Sequence, residues 1–250
     1  MLERLKKEVL DANLALPKYG LVTLTWGNVS GIEWDKKLFV IKPSGIGYEK
    51  MKIQDMVVVN LDGKIVEGKR RPSSDTPSHL ELYRWFAGLS RGREISGVTH
   101  SHSKYATVFA QAATGIPCLG TTHADHFNGT IPLTRLLTKK EVADGYELNT
   151  GKVIVEKFQG ATNSEKSLDP ISMPGVLVRG HGTFTWGKSP MDSVHNNLIL
   201  ERVAEMALYT LQLSPTATAL PDYILGKHHE RKHGSGAYYG QPAAAKSKRR

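Results

Sequence analysis

Ile95-Ser96-Gly97-Val98-Thr99-His100-Ser101-His102, followed by Ser103-Lys104-Tyr105-Ala106-Thr107-Val108-Phe109-Ala110-Gln111-Ala112-Ala113, sets a strand-like run against a helical one. The β-branched and apolar residues from Ile95 to Thr99 read as a strand, and the spacing from Lys104 to Ala113 predicts a helix. The same alternation recurs along the chain. Strand-like runs occur at Leu38 to Ile41, Met56 to Val59, Lys152 to Phe158 and Val176 to Val178, mostly ahead of Gly- or Pro-bearing turns. Helical patterns occur at Pro77 to Gly88, Asp192 to Gln212 and Tyr223 to Lys232. At the start, Leu2, Leu5, Val9, Ala12 and Leu16 form one apolar stripe among charged residues. This mixture predicts an α/β domain whose sheet is covered by helices on both faces.

Composition supports a folded, soluble protein. The chain has 250 residues, 40% of them hydrophobic and 23% charged. That length suits one full-sized core and argues against disorder, collagen or a coiled-coil rod. A single cysteine, Cys118, cannot form an intramolecular disulfide, so a cytoplasmic address is the expectation. Charges interrupt every apolar run long enough to be a signal peptide or a membrane span. The net charge of +9 is unevenly placed: residues 227–250 carry +6 and the remainder only +3. The basic end, Lys246-Ser247-Lys248-Arg249-Arg250, reads as a solvated terminus. Without a recognition motif or interleaved aromatics it gives no case for nucleic-acid binding. We divide the chain into one domain, 1–241, and a basic tail, 242–250. The polar segment from Gly160 to Pro174 is read as a surface loop.

Chemistry concentrates in three groups of residues. His100 and His102 alternate at a strand end, so both imidazoles project from one face. His181, in Arg179-Gly180-His181-Gly182 beyond Val176 to Val178, supplies a third. Three neutral imidazoles with an open position suit a catalytic divalent metal, zinc first, with cobalt or manganese as alternatives. His-x-His by itself is more often a pair of surface or satisfied histidines than a metal site. The second group consists of polar turns: Trp26-Gly27-Asn28-Val29-Ser30, Lys42-Pro43-Ser44-Gly45 and Pro72-Ser73-Ser74-Asp75-Thr76-Pro77. Backbone amides, hydroxyls and a lysine suit a phosphate or a sugar diol; alternatively Ser74, Asp75 or Thr76 caps the following helix. The third group is Thr121-Thr122-His123-Ala124-Asp125-His126, where Asp125 is either a general acid/base or part of an Asx turn. Tyr238-Tyr239 near the end either packs or delivers a phenol.

Taken in order, these motifs resemble the class II, metal-dependent aldolase/epimerase family, together with Leu21 to Ser30, Phe39 to Gly45, Met173 to Val178 and Lys232-His233-Gly234. The resemblance runs from Met1 to Gln241. It implies a three-layer α/β/α sandwich around a mixed, largely antiparallel sheet, assembled as a cyclic homotetramer with active sites shared at subunit boundaries. It matches His100, His102 and His181 to metal ligands, one divalent ion per subunit, with Asp75 at the metal. Gly27, Asn28, Lys42, Ser44, Gly45, Ser73 and Ser74 match substrate contacts. Asp125 and Tyr239 match an acid/base pair, the tyrosine reaching in from a neighbouring subunit, and His228 matches an accessory residue.

The activity so implied is epimerisation of a pentulose 5-phosphate at carbon 4, between L-ribulose 5-phosphate and D-xylulose 5-phosphate, in L-arabinose catabolism. Carbon–carbon cleavage and re-formation would avoid deprotonating an unactivated carbinol carbon, with no organic cofactor. Within the family the competitors are an L-xylulose-5-phosphate-type epimerase and an L-fuculose-phosphate-type aldolase, which carries glutamate where this chain has Asp75. An adducin-like interaction module is disfavoured by the retained histidines. The stretches Trp85 to Ser96 and Ala161 to Asp169 are longer than the family pattern, and Arg179 departs from it beside His181.

Overall fold

The computed structural model describes residues 2–160, 166–234, 237 and 238. Helix α1 (Glu3–Lys18) leads into a sheet built from β1 (Asn28–Glu33), β2 (Leu38–Ile41), β3 (Val57–Asn60) and β4 (Ile65–Glu67). Helix α2 (Thr76–Ala87) then precedes β5 (Gly97–Ser101), α3 (Lys104–Gln111), the short α4 (Thr121–Ala124) and α5 (Lys139–Gln159). Strands β6 (Gly175–Val178) and β7 (Gly182–Gly187) complete the sheet, and α6 (Pro190–Leu213) and α7 (Asp222–His233) follow. The spatial order is β4-β3-β2-β1-β5-β7-β6. Every strand pairing described is antiparallel. The expected mixed character reduces to one isolated parallel bridge, Leu133 to Leu177.

Side-chain alternation builds the two faces. Phe39, Ile41, Val57 and Val59 join one core cluster, while Val40 and Val58, between them in sequence, join the other, as period-two geometry requires. The first face carries α2, whose Tyr83 and Phe86 meet Phe39 and Trp186, and α5 lies against α2. The second face carries α1, with Leu5, Val9 and Leu16 around Val29. It also carries α6, whose Ser193 bonds Thr99 at 2.7 Å and whose Asn197 bonds Thr183 at 2.7 Å. The result is the expected three-layer α/β/α sandwich.

Three local readings need correction. Lys152 to Phe158 is helical, inside α5. Its β-branched residues suggested a strand, but burial falls on Val153, Ile154 and Phe158, a helical face docked on α2, and packing overrides propensity. The Gly27–Ser30 stretch is not only a turn: Asn28 opens β1, where the small Ser30 and Gly31 pack beneath helices. The segment beginning at Thr121 contains a helical turn rather than a plain loop.

Candidate metal centre and active site

One row of side chains crosses the sheet on the α2 face. Asn28 of β1 lies opposite His100 of β5, and His100 lies opposite Phe184 of β7. Phe184 stacks on the His100 ring, centroids 4.3 Å apart and 20° from parallel. His102 follows one pleat beyond His100, and His181 arrives from the β6–β7 turn. Close backbone approach makes this possible. A Cβ on Gly182 would lie 2.5 Å from the Ser101 carbonyl oxygen and 2.8 Å from the His102 ring. Gly27, at φ +73°, similarly passes over the His100 carbonyl. The three histidines bring one ligand atom each to within 4.8 Å of one another, the only such cluster among the described residues.

The chemistry of this set fits a divalent cation. His100 Nδ1 lies 2.9 Å from the Thr183 carbonyl oxygen, so Nδ1 carries the proton and Nε2 turns a lone pair to the site. The Nε2 atoms of His100 and His102 stand 3.2 Å apart. Burial, with charge on the neighbouring histidines, pushes His102 down to about 4 and His181 down to about 3. Neutral rings at such separation are what a zinc-type site requires.

Asp75 stands beside the triad at the N-cap of α2. Asn28 Nδ2 donates to its Oδ2 at 2.6 Å and to Ser73 Oγ at 3.1 Å. Burial favours the neutral acid, but His100, His79, the Asn28 amide and His181 outweigh it and hold the carboxyl below its ordinary value. Next to it, segments 42–45 and 71–73 run side by side: Ser73 N donates to the Lys42 carbonyl at 2.9 Å and Ser44 N to the Arg71 carbonyl at 2.9 Å. The Lys42 Nζ donates to the Thr25 carbonyl at 2.9 Å and sits 4.9 Å from the Tyr48 ring centroid. Burial lowers Lys42 to about 8, partly countered by Asp75. Thus Gly27, Asn28, Lys42, Ser73 and Asp75 converge around the histidines, with Ser44, Gly45 and Ser74 on the same rim; Ser44, Gly45 and Ser74 are exposed.

Asp125 belongs to a different constellation. Arg231 clasps it through Nε at 3.0 Å and a terminal nitrogen at 2.7 Å, and His228 Nδ1 lies 3.1 Å away. His233 donates to the Asp125 carbonyl oxygen at 2.8 Å. Burial would raise the Asp125 carboxyl, but Arg231 and His228 hold it ionised. Within one chain, no hydrogen bond, ion pair or ring contact among the described residues joins Asp125 or His228 to the three histidines. Tyr239 and the tail 242–250 lie outside the described residues. Two residues near the metal set escaped the sequence reading. Tyr146 places its hydroxyl 3.4 Å from His181 Nδ1. His79 is fully buried behind Asp75, and burial pushes it down to about 3. His79 was legible only as a lone histidine in a helical pattern. The Arg179 backbone is fixed by Thr134 Oγ1 at 3.1 Å.

Residues 7–208 match the family described as Class II Aldolase and Adducin N-terminal domain. The chain is 52% identical over 240 residues, 96% of this chain and 100% of the relative, to an L-ribulose-5-phosphate 4-epimerase UlaF of Salmonella paratyphi B. The same identity and coverage hold for the protein of that name from Salmonella typhi. Among solved structures, an L-fuculose 1-phosphate aldolase superposes with a TM-score of 0.73 at 24% identity, covering 91% of this chain and 95% of that one. The last likeness establishes shared fold alone.

Proposed function

The chain belongs to the class II aldolase and adducin N-terminal domain family, and on that premise we propose that it acts as an L-ribulose-5-phosphate 4-epimerase, interconverting L-ribulose 5-phosphate and D-xylulose 5-phosphate. The observation that carries this reading is the 52% identity to relatives of that name across their full length. The names of those relatives specify a reaction and not a pathway.

His100, His102 and His181, with Asp75 beside them, would hold one divalent ion per subunit, and zinc is our assignment. When bound, the ion would supply Lewis-acid stabilisation of the negative charge that passes to the three-carbon fragment. The rest falls to the chain. A base removes the proton of the carbon-4 hydroxyl, the bond between carbons 3 and 4 breaks, and its electron pair passes into the enediolate of dihydroxyacetone. Glycolaldehyde phosphate then presents its other aldehyde face while its phosphate stays bound, and carbon–carbon attack restores the bond with inverted configuration. A second group returns the proton from the opposite side. Lys42, Ser44, Gly45, Ser73 and Ser74, with Gly27 and Asn28, suit the phosphate and hydroxyls, and the depressed Lys42 would regain its proton against a dianion. Asp125, held as a carboxylate by Arg231, suits the base, with His228 accessory to it. Tyr239 is the acid we assign from the sequence.

Separation of the Asp125 constellation from the histidines within one chain supports a site shared between subunits of a homotetramer. So does the loop beside the histidines, where Leu24 is 78% and Trp26 51% exposed with Trp26 6.3 Å from the His102 ring. We place the enzyme in the cytoplasm; among the described residues no helix is long and apolar enough to cross a membrane. An assay that follows D-xylulose 5-phosphate and free glycolaldehyde phosphate together tests the reading. Epimerised product with little free aldehyde is expected; stoichiometric release of the aldehyde would make the protein an aldolase instead.

A further inference from the structure

Helix α2 opens with Asp75 as its N-cap, and the His79 amide donates to the Asp75 carbonyl at 3.1 Å. Residues four apart on a helix share a face, so the His79 ring lies one turn behind the Asp75 carboxylate. That ring is fully buried. Its edge meets Phe184 at 5.8 Å, and Phe184 in turn stacks on His100. His79 therefore backs the metal set from two directions.

Its hydrogen bonds have a direction. His79 Nδ1 lies 2.7 Å from Ser30 Oγ, and Ser30 Oγ lies 2.8 Å from the Tyr83 hydroxyl. Tyr83 is itself fully buried. Each hydroxyl has one proton to give, so a chain running from Tyr83 through Ser30 to His79 Nδ1 is the direction that leaves the ring proton on Nε2. That buried Nε2 has no hydrogen-bond partner in the structure, although Asp75 is the charge acting on it most strongly. An apolar side chain would fill the same space without burying an orphaned donor, which costs stability.

We propose that His79 is a positioning residue of the metal centre: the Tyr83–Ser30 hydroxyl chain donates to Nδ1 and leaves the proton on the buried Nε2, one helical turn from the Asp75 carboxylate. Asn28 holds Asp75 from the sheet side by a hydrogen bond and the buried His79 ring backs it from the helix side, so the carboxylate keeps one orientation beside the three histidines. Such outer support commonly changes metal affinity by about ten- to a hundredfold. The inference rests on the metal-centre reading above.

The test compares wild type, His79→Leu, His79→Gln and Ser30→Ala, each loaded with Co2+. The visible spectrum, the affinity measured by chelator competition, and kcat and KM are recorded. His79→Leu is expected to bind Co2+ about tenfold more weakly with a shifted spectrum, and to lose kcat with KM little changed. His79→Gln, which keeps an N–H donor, should recover part of each loss, and Ser30→Ala should show a smaller change in the same direction. A folded His79→Leu protein with wild-type spectrum and affinity would overturn the proposal. If His79→Leu does not fold, an unaltered spectrum and affinity in Ser30→Ala overturns it equally. Failure of the wild type to take up Co2+ would instead strike at the metal centre itself.

Discussion

His100 Nε2 and His102 Nε2 face each other at 3.2 Å, while His100 Nδ1 is already committed to the Thr183 carbonyl. Burial disfavours an imidazolium there, so the pair stays neutral, and with its proton on Nδ1 His102 turns a second lone pair to the same point, the arrangement a cation takes. Removal of the metal by chelation should therefore abolish epimerisation, with recovery on adding Zn2+ or Co2+. His102→Ala should lower metal affinity and activity together while leaving the circular dichroism spectrum intact. Activity that survives both treatments would remove the metal from the mechanism.

Acid should destabilise the protein before its carboxylates titrate. His123 is buried, its Nε2 bonded to the Gly129 carbonyl at 2.9 Å, and burial lowers it from 6.5 to about 4; His79 falls further, to about 3. The unfolded chain takes up these protons below about pH 6.5 and the folded chain does not. Stability is thus complete above that pH and is lost as pH falls through the interval down to about 4, by up to about 1.4 kcal/mol per pH unit for each such histidine. Urea unfolding of the chelated protein at pH 7, 6 and 5 should show a falling midpoint, and His123→Gln should flatten part of the slope. A midpoint independent of pH over that range would contradict the burial argument.

Lys42 gives a second, opposite pH signature. Burial disfavours its ammonium, while its contact with the Thr25 carbonyl and the nearby Asp75 favour it, and the free protein loses that charge as pH rises through about 8. The kcat/KM for the phosphorylated substrate should therefore decline above about pH 8, chiefly through KM. Lys42→Met should reduce kcat/KM by about ten- to a hundredfold, the worth of one charge-assisted hydrogen bond, and should abolish that alkaline limb. An unchanged limb in the variant would assign it to another group.

Much of this arrangement is legible in the sequence, and the failures have physical causes. Leu38–Ile41 and the edges of α2, α3, α6 and α7 emerge from apolar periodicity to within a few residues. Strand β7, Gly182-Thr183-Phe184-Thr185-Trp186-Gly187, does not, because its outward Thr183 and Thr185 are polar yet buried against Asn197 and Ser193 of α6. Spacing puts His100 and His102 on one face, and the Gly180-His181-Gly182 turn marks the third histidine of the cluster. His79 carries no such mark, since its meaning lies in Ser30 and Tyr83, remote in sequence and joined only by the sheet–helix packing. The Asp125 clasp is likewise invisible beforehand because Arg231 reaches it from a helix more than a hundred residues away.

That clasp yields the remaining prediction. Arg231 binds both oxygens of Asp125, with His228 beside them, so the carboxylate is kept ionised and aimed by α7. Asp125→Asn preserves shape but removes the carboxylate we assign as base, and kcat should fall by about a hundred- to ten-thousandfold while Co2+ binding at the histidines is retained. Chain truncation separates the neighbouring assignment: ending the protein before Tyr238 should greatly lower turnover, whereas removing only residues 242–250 should not. Because Tyr238 bonds the Arg231 carbonyl at 3.0 Å through its backbone, Tyr239→Phe is the cleaner probe, leaving that backbone contact in place. A large loss of kcat in Tyr239→Phe with an unaltered cobalt spectrum would assign the phenol to proton transfer. Equal turnover in wild type, Tyr239→Phe and both truncations would show that the second acid/base group lies elsewhere.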